Sequence, residues 1–132
     1  MNIDAPILRK ALEHITAHPE EWDQNQWAAR DTLCGTSCCL AGTIAVQQGY
    51  KFVFEKGKSS TTYASKDGLS AYIPHVAAAE LLGCQVASFA CDAVAEYPAV
   101  RQMFDGANGL PELWRMANRL TDGEIEIPEE FL

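Results

Sequence analysis

Three cysteines crowd into the stretch CGTSCC at residues 34–39, where a polar turn leads into an apolar segment. Thiolates act as nucleophiles and metal ligands, so Cys34, Cys38 and Cys39 are the first candidates for chemistry. Two more, Cys84 and Cys91, lie seven positions apart and would share one face of a continuous helix. Five cysteines cannot all pair, and we therefore expect reduced, buried thiols, as is usual in the cytosol.

A cysteine at the start of a helix is a candidate nucleophile, because the unpaired N–H groups and the positive end of the helix dipole lower its pKa. Cys38 or Cys39 begins an apolar segment, an expected strand follows, and His75 comes later. Papain-like and transglutaminase-like hydrolases have this order, but they carry the histidine on a strand. His75 instead follows Pro74 at the start of an Ala-rich segment, with no Asp or Asn on a later strand to orient it. A thiol hydrolase is therefore the alternative hypothesis.

A metal site is a second possible use of the thiols. Structural zinc is held by about four nitrogen or sulfur ligands, typically as two close couples. The couples Cys34–Cys38 and His14–His18, each with three intervening residues, are the candidate ligands. Nothing in the sequence fixes the distance between the two couples. We therefore predict no metal ion or other cofactor, and keep this four-residue set as the alternative.

A third interpretation, which we favour, treats these cysteines as small apolar core residues. Thr36 or Ser37 is then expected to cap a helix from about Cys38 to Gln48. The small residues of that helix, Ala41, Gly42 and Ala45, allow a neighbouring segment to approach closely.

Charge is distributed unevenly along the chain. The formal net charge is −8, which argues against a nucleic-acid partner, because such binders usually have a basic face. A middle segment is basic, and the last dozen residues are acidic. The basic segment and its tyrosines form the expected surface for a protein partner: Lys51, Lys56, Lys58, Tyr63, Lys66 and Tyr72. Acidic mimicry of nucleic acid is a further hypothesis, but the acids are scattered and do not form rows.

No apolar run approaches the ~20 residues that a membrane span requires, and the amphipathic N-terminus lacks the features of a signal peptide. We therefore expect a cytoplasmic protein without a membrane partner.

The elements that must position these residues are mostly helical. Asp4 is expected to cap a first helix that ends near His18. Helical spacing recurs after Pro74, with Gly83 as the expected stop, then over residues 86–94 and over residues 110–120. Pro98 is expected to break the pattern before a short helix, AVRQMF. Between the first helix and Pro74, YKFVFE alternates as a strand does, and Asp67-Gly68 is a hairpin signal. EIEI near the end is a brief strand or an extended tail that packs Ile125 and Ile127. The prediction is a single α+β domain, 1–132, mostly α, with a small antiparallel sheet inserted at about 50–73 and an acidic tail at about 122–132.

The chain resembles a family of short, uncharacterised bacterial and actinobacteriophage proteins that share a CGT-x-x-C-x-A-G turn. An acidic Trp-containing segment precedes the turn in that family, and an AAxxLLG helix and an LTDGEIEIP ending follow it. The residues that carry the resemblance are Trp22, Trp27, Cys34, Gly35, Thr36, Cys39, Ala41, Gly42, Leu81, Leu82, Gly83, Phe104, Asp105, Asn108 and Leu110. Adjacent Cys38 and Cys39, and Thr43 in place of an aromatic residue, depart from the family pattern.

The resemblance implies a phage-type accessory protein of the bacterial host cytoplasm, and it brings no catalytic residue with it. Together with the sequence, it favours a protein that acts by binding a host factor or a second copy of itself.

Overall fold

The computed structural model describes residues 3–31, 35–84 and 97–132. Helix α1, Ala5–Ala17, begins where predicted, because the Asp4 carboxylate accepts a hydrogen bond from the Ile7 N–H at 3.1 Å. Its apolar stripe is buried: Leu8, Ala11, Leu12 and Ile15. The helix ends before Pro19, and a 3-10 turn, Pro19–Glu21, follows.

Two apolar helices form the centre of the protein. Helix α2, Leu40–Gln47, buries its first six residues against α3, Ile73–Leu82, and α1 packs across both. Helix α3 ends as expected at Gly83, whose φ of 72° lies in the left-handed region that glycine adopts at low cost.

The predicted start of α2 is wrong by two residues. The helix begins at Leu40 with Cys39 as its N-cap, and Ser37 lies in a strand, so neither Thr36 nor Ser37 is the cap. The side chain of Gln24 instead accepts a hydrogen bond from the first N–H of this helix, that of Leu40.

The predicted antiparallel sheet is present. Its strands are β3, Lys51–Phe52, β5, Tyr63–Lys66, and β6, Leu69–Tyr72, in the order β3-β5-β6. Asp67 and Gly68 both have positive φ, 51° and 83°, as the two-residue turn between β5 and β6 requires. The first strand covers only the start of YKFVFE.

A second small sheet was not predicted. It consists of β1, Ala28–Asp31, β2, Gly35–Ser37, and β4, Ser60–Thr61, in the order β2-β1-β4, all antiparallel. The fold is therefore a mixed α+β fold, mostly α, with two small sheets among the described residues.

In the C-terminal part, helix α5, Leu110–Leu120, packs against α1. Helix α4, Tyr97–Gln102, contains Pro98 in its first turn, whereas we expected Pro98 to precede the helix. Helix α5 is followed by a tail without a strand, in which Ile125 is buried. No helix in the described part of the chain is long and apolar enough to cross a membrane. The helical spacing predicted at 86–94 lies outside the described residues.

Candidate functional site

Gln24 organises the loop between the 3-10 turn and β1, and the sequence analysis did not identify it. Its side chain is buried, with 7% exposed. Oε1 accepts hydrogen bonds from Trp22 Nε1 at 2.9 Å and from the Leu40 N–H at 3.1 Å. Nε2 donates to the Met103 carbonyl at 2.8 Å and to the Asp105 carbonyl at 3.2 Å. One amide therefore ties the start of α2 to the segment that follows α4.

Gly42 fixes the same loop from the helix side. A Cβ on this residue would overlap the carbonyl oxygen of Trp27 and would lie 2.6 Å from Cys38 Cβ. The close approach that the small residues of α2 predicted is therefore real, and its partner is the backbone at Trp27. Only glycine leaves room for this packing.

Trp27, held in this way, lies where three adjoining cavities meet. One, of about 570 Å³, extends past Val53, Lys58 and Tyr63. The second, of about 380 Å³, lies against Asp105. The third, of about 680 Å³, is lined by residues of α4 that include Arg101. We call this continuous surface the Trp27 groove.

An aromatic cluster lies beside the groove, with Tyr72 at its centre. The Tyr72 ring centroid lies 6.0 Å from that of Trp27, 6.1 Å from that of Tyr63 and 5.1 Å from that of His75, all edge-on. The guanidinium carbon of Arg101 lies 5.8 Å from the same ring. Edge-on pairs and a cation over a ring are favourable geometries, so the cluster joins β6, α3 and α4 firmly.

His75 and Arg101 give this cluster its charge properties. Burial, and then the positive charge of Arg101, lower the pKa of His75 from its ordinary value. Arg101 Nη1 donates a hydrogen bond to the Tyr97 hydroxyl at 3.0 Å, which raises the pKa of Arg101. Both effects favour the neutral form of His75 beside the Arg101 cation.

The predicted partner-binding residues divide between the two faces of the β3-β5-β6 sheet. Tyr63 lies opposite Tyr72, and Lys51 lies opposite Ser65, so Lys51 and both tyrosines share the outer face. Lys66 lies on the other face, where its Nζ donates to the Gln48 carbonyl at 2.8 Å and lies 5.4 Å from the Tyr50 ring centroid. Its ammonium group is therefore part of the fold.

The remaining two lysines are in the connection between β3 and β4. Lys58 lines the Trp27 groove, and Lys56 is exposed in the preceding turn. The structure therefore brings Lys58 and Tyr63 together at the groove, and Tyr72 lies next to it, against the rings of Tyr63 and Trp27.

The cysteine motif contributes to a different cavity, of about 190 Å³, which we call the Cys38 cavity. Its polar lining includes Cys38, His14, Glu21, Thr43 and Gln47. Cys38 Sγ lies 3.5 Å from Thr43 Oγ1. The Cys38 N–H donates to the Glu21 carbonyl at 3.0 Å, which fixes the cysteine beside the 3-10 turn.

Cys38 and Cys39, which come just before α2, are in surroundings that disfavour the thiolate. Burial raises the pKa of Cys38, and the negative charge of Glu21 also raises it. A hydrogen bond with Thr43 partly offsets the rise. Burial raises the pKa of Cys39 to about 12. Both cysteines precede the first helical residue, Leu40, and both are buried free thiols.

The two residue sets proposed as alternative sites are placed as follows. In the hydrolase set, His75 does not line the cavity that contains Cys38. Its ring packs against Tyr72 and Tyr97 in the aromatic cluster, and the histidine that lines the cavity is His14. In the metal set, the ring centroids of His14 and His18 lie 4.7 Å apart.

Two predictions about the other cysteines have different outcomes. Cys34 and Cys91 lie outside the described residues. Cys84 is disulfide-bonded, with its partner outside the described residues, so the expectation that every thiol is reduced is wrong for Cys84. An odd total leaves at least one thiol unpaired but does not prevent a single disulfide.

Comparison of the chain with protein-family models, with curated proteins and with solved structures found no match. Function must therefore be argued from the Trp27 groove and the Cys38 cavity themselves.

Proposed function

We propose that this protein acts by binding a protein partner rather than by catalysis, and that the Trp27 groove is the binding surface. The observation that carries the proposal is the meeting of three cavities at one tryptophan, with an aromatic cluster beside it. Aromatic side chains and arginine are enriched at protein interfaces, and they dominate binding energy where a partner excludes water.

Exposed apolar side chains lie at the sheet end of the groove. Val53 is 39% exposed and Tyr63 is 52% exposed, and both line the section of about 570 Å³ that also holds Lys58. An extended segment of another protein with apolar side chains fits this combination.

The backbone that carries Trp27 is closely packed against the start of α2. The Trp27 carbonyl oxygen lies against Gly42, and the neighbouring Gln26 carbonyl accepts a hydrogen bond from the Cys39 N–H at 2.7 Å. The Tyr72 ring packs edge-on against the Trp27 ring. A surface that is ordered before binding loses less conformational entropy when a partner docks, which favours affinity.

We further propose that the partner is a host factor in the bacterial cytoplasm and that this chain is a phage-type accessory protein. This part rests on the resemblance described under Sequence analysis. Self-association is the competing outcome, and the experiment below distinguishes it.

The alternative, a thiol hydrolase, has less support. The Cys38 cavity does place a histidine and a glutamate beside a thiol, but the raised pKa of Cys38 opposes thiolate formation. The labelling experiment in the Discussion tests it.

The test is affinity capture from bacterial lysate combined with a photo-crosslinking amino acid at position 70, an exposed residue that lines the same section of the groove and is unchanged in the variants below. A double variant, Val53→Ser with Tyr63→Ser, removes the exposed apolar contacts of the groove. Val46→Ser is the matched control, because Val46 is 47% exposed and lines the Cys38 cavity instead.

The expected result is one saturable protein adduct that the double variant loses and Val46→Ser retains. An adduct containing only this chain, with a dimer in sedimentation analysis, would replace the host factor with a second copy. Equal capture by wild type and the double variant would overturn the proposal.

A further inference from the structure

Two histidines and two glutamates converge where α1 gives way to the 3-10 turn. Glu21 lies between the imidazoles, with Oε1 3.4 Å from His14 Nε2 and Oε2 3.6 Å from His18 Nδ1. Glu20 Oε1 lies 3.5 Å from the same His18 nitrogen. One ligand atom from each of His18, Glu20 and Glu21 lies within 4.8 Å of the other two.

The nitrogen–oxygen distances between these histidines and glutamates exceed the ~2.7–2.9 Å of a charge-assisted hydrogen bond between an N–H and a carboxylate. With zinc–ligand bonds of ~2.0–2.2 Å and tetrahedral angles, two ligands of one zinc ion lie roughly 3.3–3.6 Å apart. The two distances from His18 Nδ1, to Glu20 and to Glu21, therefore fit atoms that share a cation.

We propose that His18, Glu20 and Glu21 bind a divalent transition-metal ion of the zinc class, with His14 beside the site against Glu21. An imidazole and two carboxylates suit zinc, copper or nickel, whereas magnesium and calcium prefer oxygen ligands alone. The site keeps His18 of the sequence-based metal hypothesis and replaces Cys34 and Cys38 with the glutamates of the turn.

Local structure explains why the four side chains meet. His14 and His18 are one helical turn apart, and their rings are neighbours. Pro19 ends the helix, and the 3-10 turn folds Glu20 and Glu21 back toward the imidazoles.

The site is open to solvent. The four side chains are between 36% and 66% exposed, so an incoming ion reaches them directly and a coordination position remains available to water. His14 and Glu21 also line the Cys38 cavity, so the ion would lie at its edge. This inference does not depend on the Trp27 groove.

The test is calorimetric titration of untagged protein with zinc chloride, with a phosphine reductant that keeps free thiols reduced. We expect one bound equivalent. His18→Ala should lower the affinity at least about tenfold, since even second-shell changes cost 10–100-fold, and His14→Ala should have a smaller effect, because His14 contacts only Glu21 of the three ligands. Glu13→Ala is the matched control, an exposed carboxylate adjacent to His14. In parallel NMR spectra, zinc should shift the imidazole resonances of His14 and His18 and leave those of His75 unchanged.

Cobalt distinguishes this site from a thiolate site, because only thiolate ligands add an intense near-ultraviolet charge-transfer band. We expect no such band, and we expect Cys38→Ser to bind zinc as wild type does. Circular dichroism spectra of the variants check folding. The proposal is overturned if wild type binds no zinc, if His18→Ala binds it equally well, or if Cys38→Ser abolishes binding.

Discussion

The side-chain Oε1 of Gln24 accepts a hydrogen bond from the backbone N–H of Leu40, the first residue of helix α2, at 3.1 Å. This contact does the work of a local cap, because Cys39 at the N-cap position makes no side-chain cap hydrogen bond. The start of the central helix therefore depends on a residue sixteen positions earlier in the chain.

Replacement of Gln24 should be costly. Gln24→Ala removes four hydrogen bonds and leaves the buried Leu40 N–H without its acceptor, so we expect a loss of roughly 2–4 kcal/mol in the free energy of unfolding. Urea denaturation measures it. Gln26→Ala is the control, because its side chain only lines the groove. An equal effect of the two variants would contradict the assigned role.

Gln24→Glu sharpens the test. It replaces a donor with a carboxylate that faces the Met103 and Asp105 carbonyl oxygens. The introduced carboxyl group should therefore be more stable protonated in the fold. We expect the deficit relative to wild type to shrink as pH falls from 7 to 5, because the protonated form can donate again. A deficit that is independent of pH would argue against this geometry.

Gly42→Ala should destabilise the protein although alanine normally favours a helix interior by about 1 kcal/mol over glycine. The added Cβ overlaps the Trp27 carbonyl oxygen, which is backbone and cannot rotate away. Overpacking of this kind costs about 1–3 kcal/mol. Thermal and urea unfolding measure the change.

Gly109→Ala is the matched control for Gly42→Ala. Its Cβ would meet first the flexible Glu112 carboxylate, at 3.0 Å, and we expect a loss below about 1 kcal/mol. If Gly42→Ala were as stable as wild type, the close approach of the Trp27 backbone to α2 would be wrong.

The thiols of Cys38 and Cys39 should react slowly in the native protein. Cys39 is fully buried, with a pKa of about 12, and should stay unlabelled by iodoacetamide at pH 7.5. Cys38, 9% exposed and with a raised pKa, should label slowly and faster as pH increases. Mass spectrometry of peptides gives both rates.

The same labelling experiment tests the disulfide and the hydrolase alternative. In denaturant without reductant, Cys38 and Cys39 should label and Cys84 should not, and reductant should release Cys84. Rapid native labelling of Cys38 at neutral pH, slowed by His14→Ala, would instead favour the thiol nucleophile.

The His75 imidazole should titrate below its ordinary pKa of 6.5. NMR titration measures this directly. Arg101→Met should move the pKa part of the way back, because burial, the larger cause, remains. An unchanged pKa in the variant would contradict the electrostatic contact between the two residues.

The lowered pKa of His75 also predicts a stability change. Below pH 6.5 the unfolded chain binds a proton at His75 more readily than the folded chain does. The contribution of neutral His75 is therefore present above pH 6.5 and is lost as pH falls from there through its folded-state pKa. His75→Gln should lose less stability than wild type over this interval.

Local patterns in the sequence determined several elements correctly. The Asp4 cap, the helical stripe of α1, the Asp67-Gly68 turn and the Gly83 helix end were all predicted, because each depends on neighbours within about four residues. The α+β class followed from the change of period after Gly49. These features need no knowledge of distant contacts.

Only the tertiary structure decided the candidate sites. Strands of two to four residues, such as β2 and β4, are too short to show alternation, so the second sheet gave no sequence signal. Nothing in the sequence distinguishes Gln24 from other polar residues, because its partners Leu40 and Met103 lie 16 and 79 positions away along the chain. The small residues of α2 marked a close packing point correctly. The partner of that packing, the Trp27 backbone, and the placement of His14 beside Cys38 come from long-range contacts that spacing along the chain does not encode.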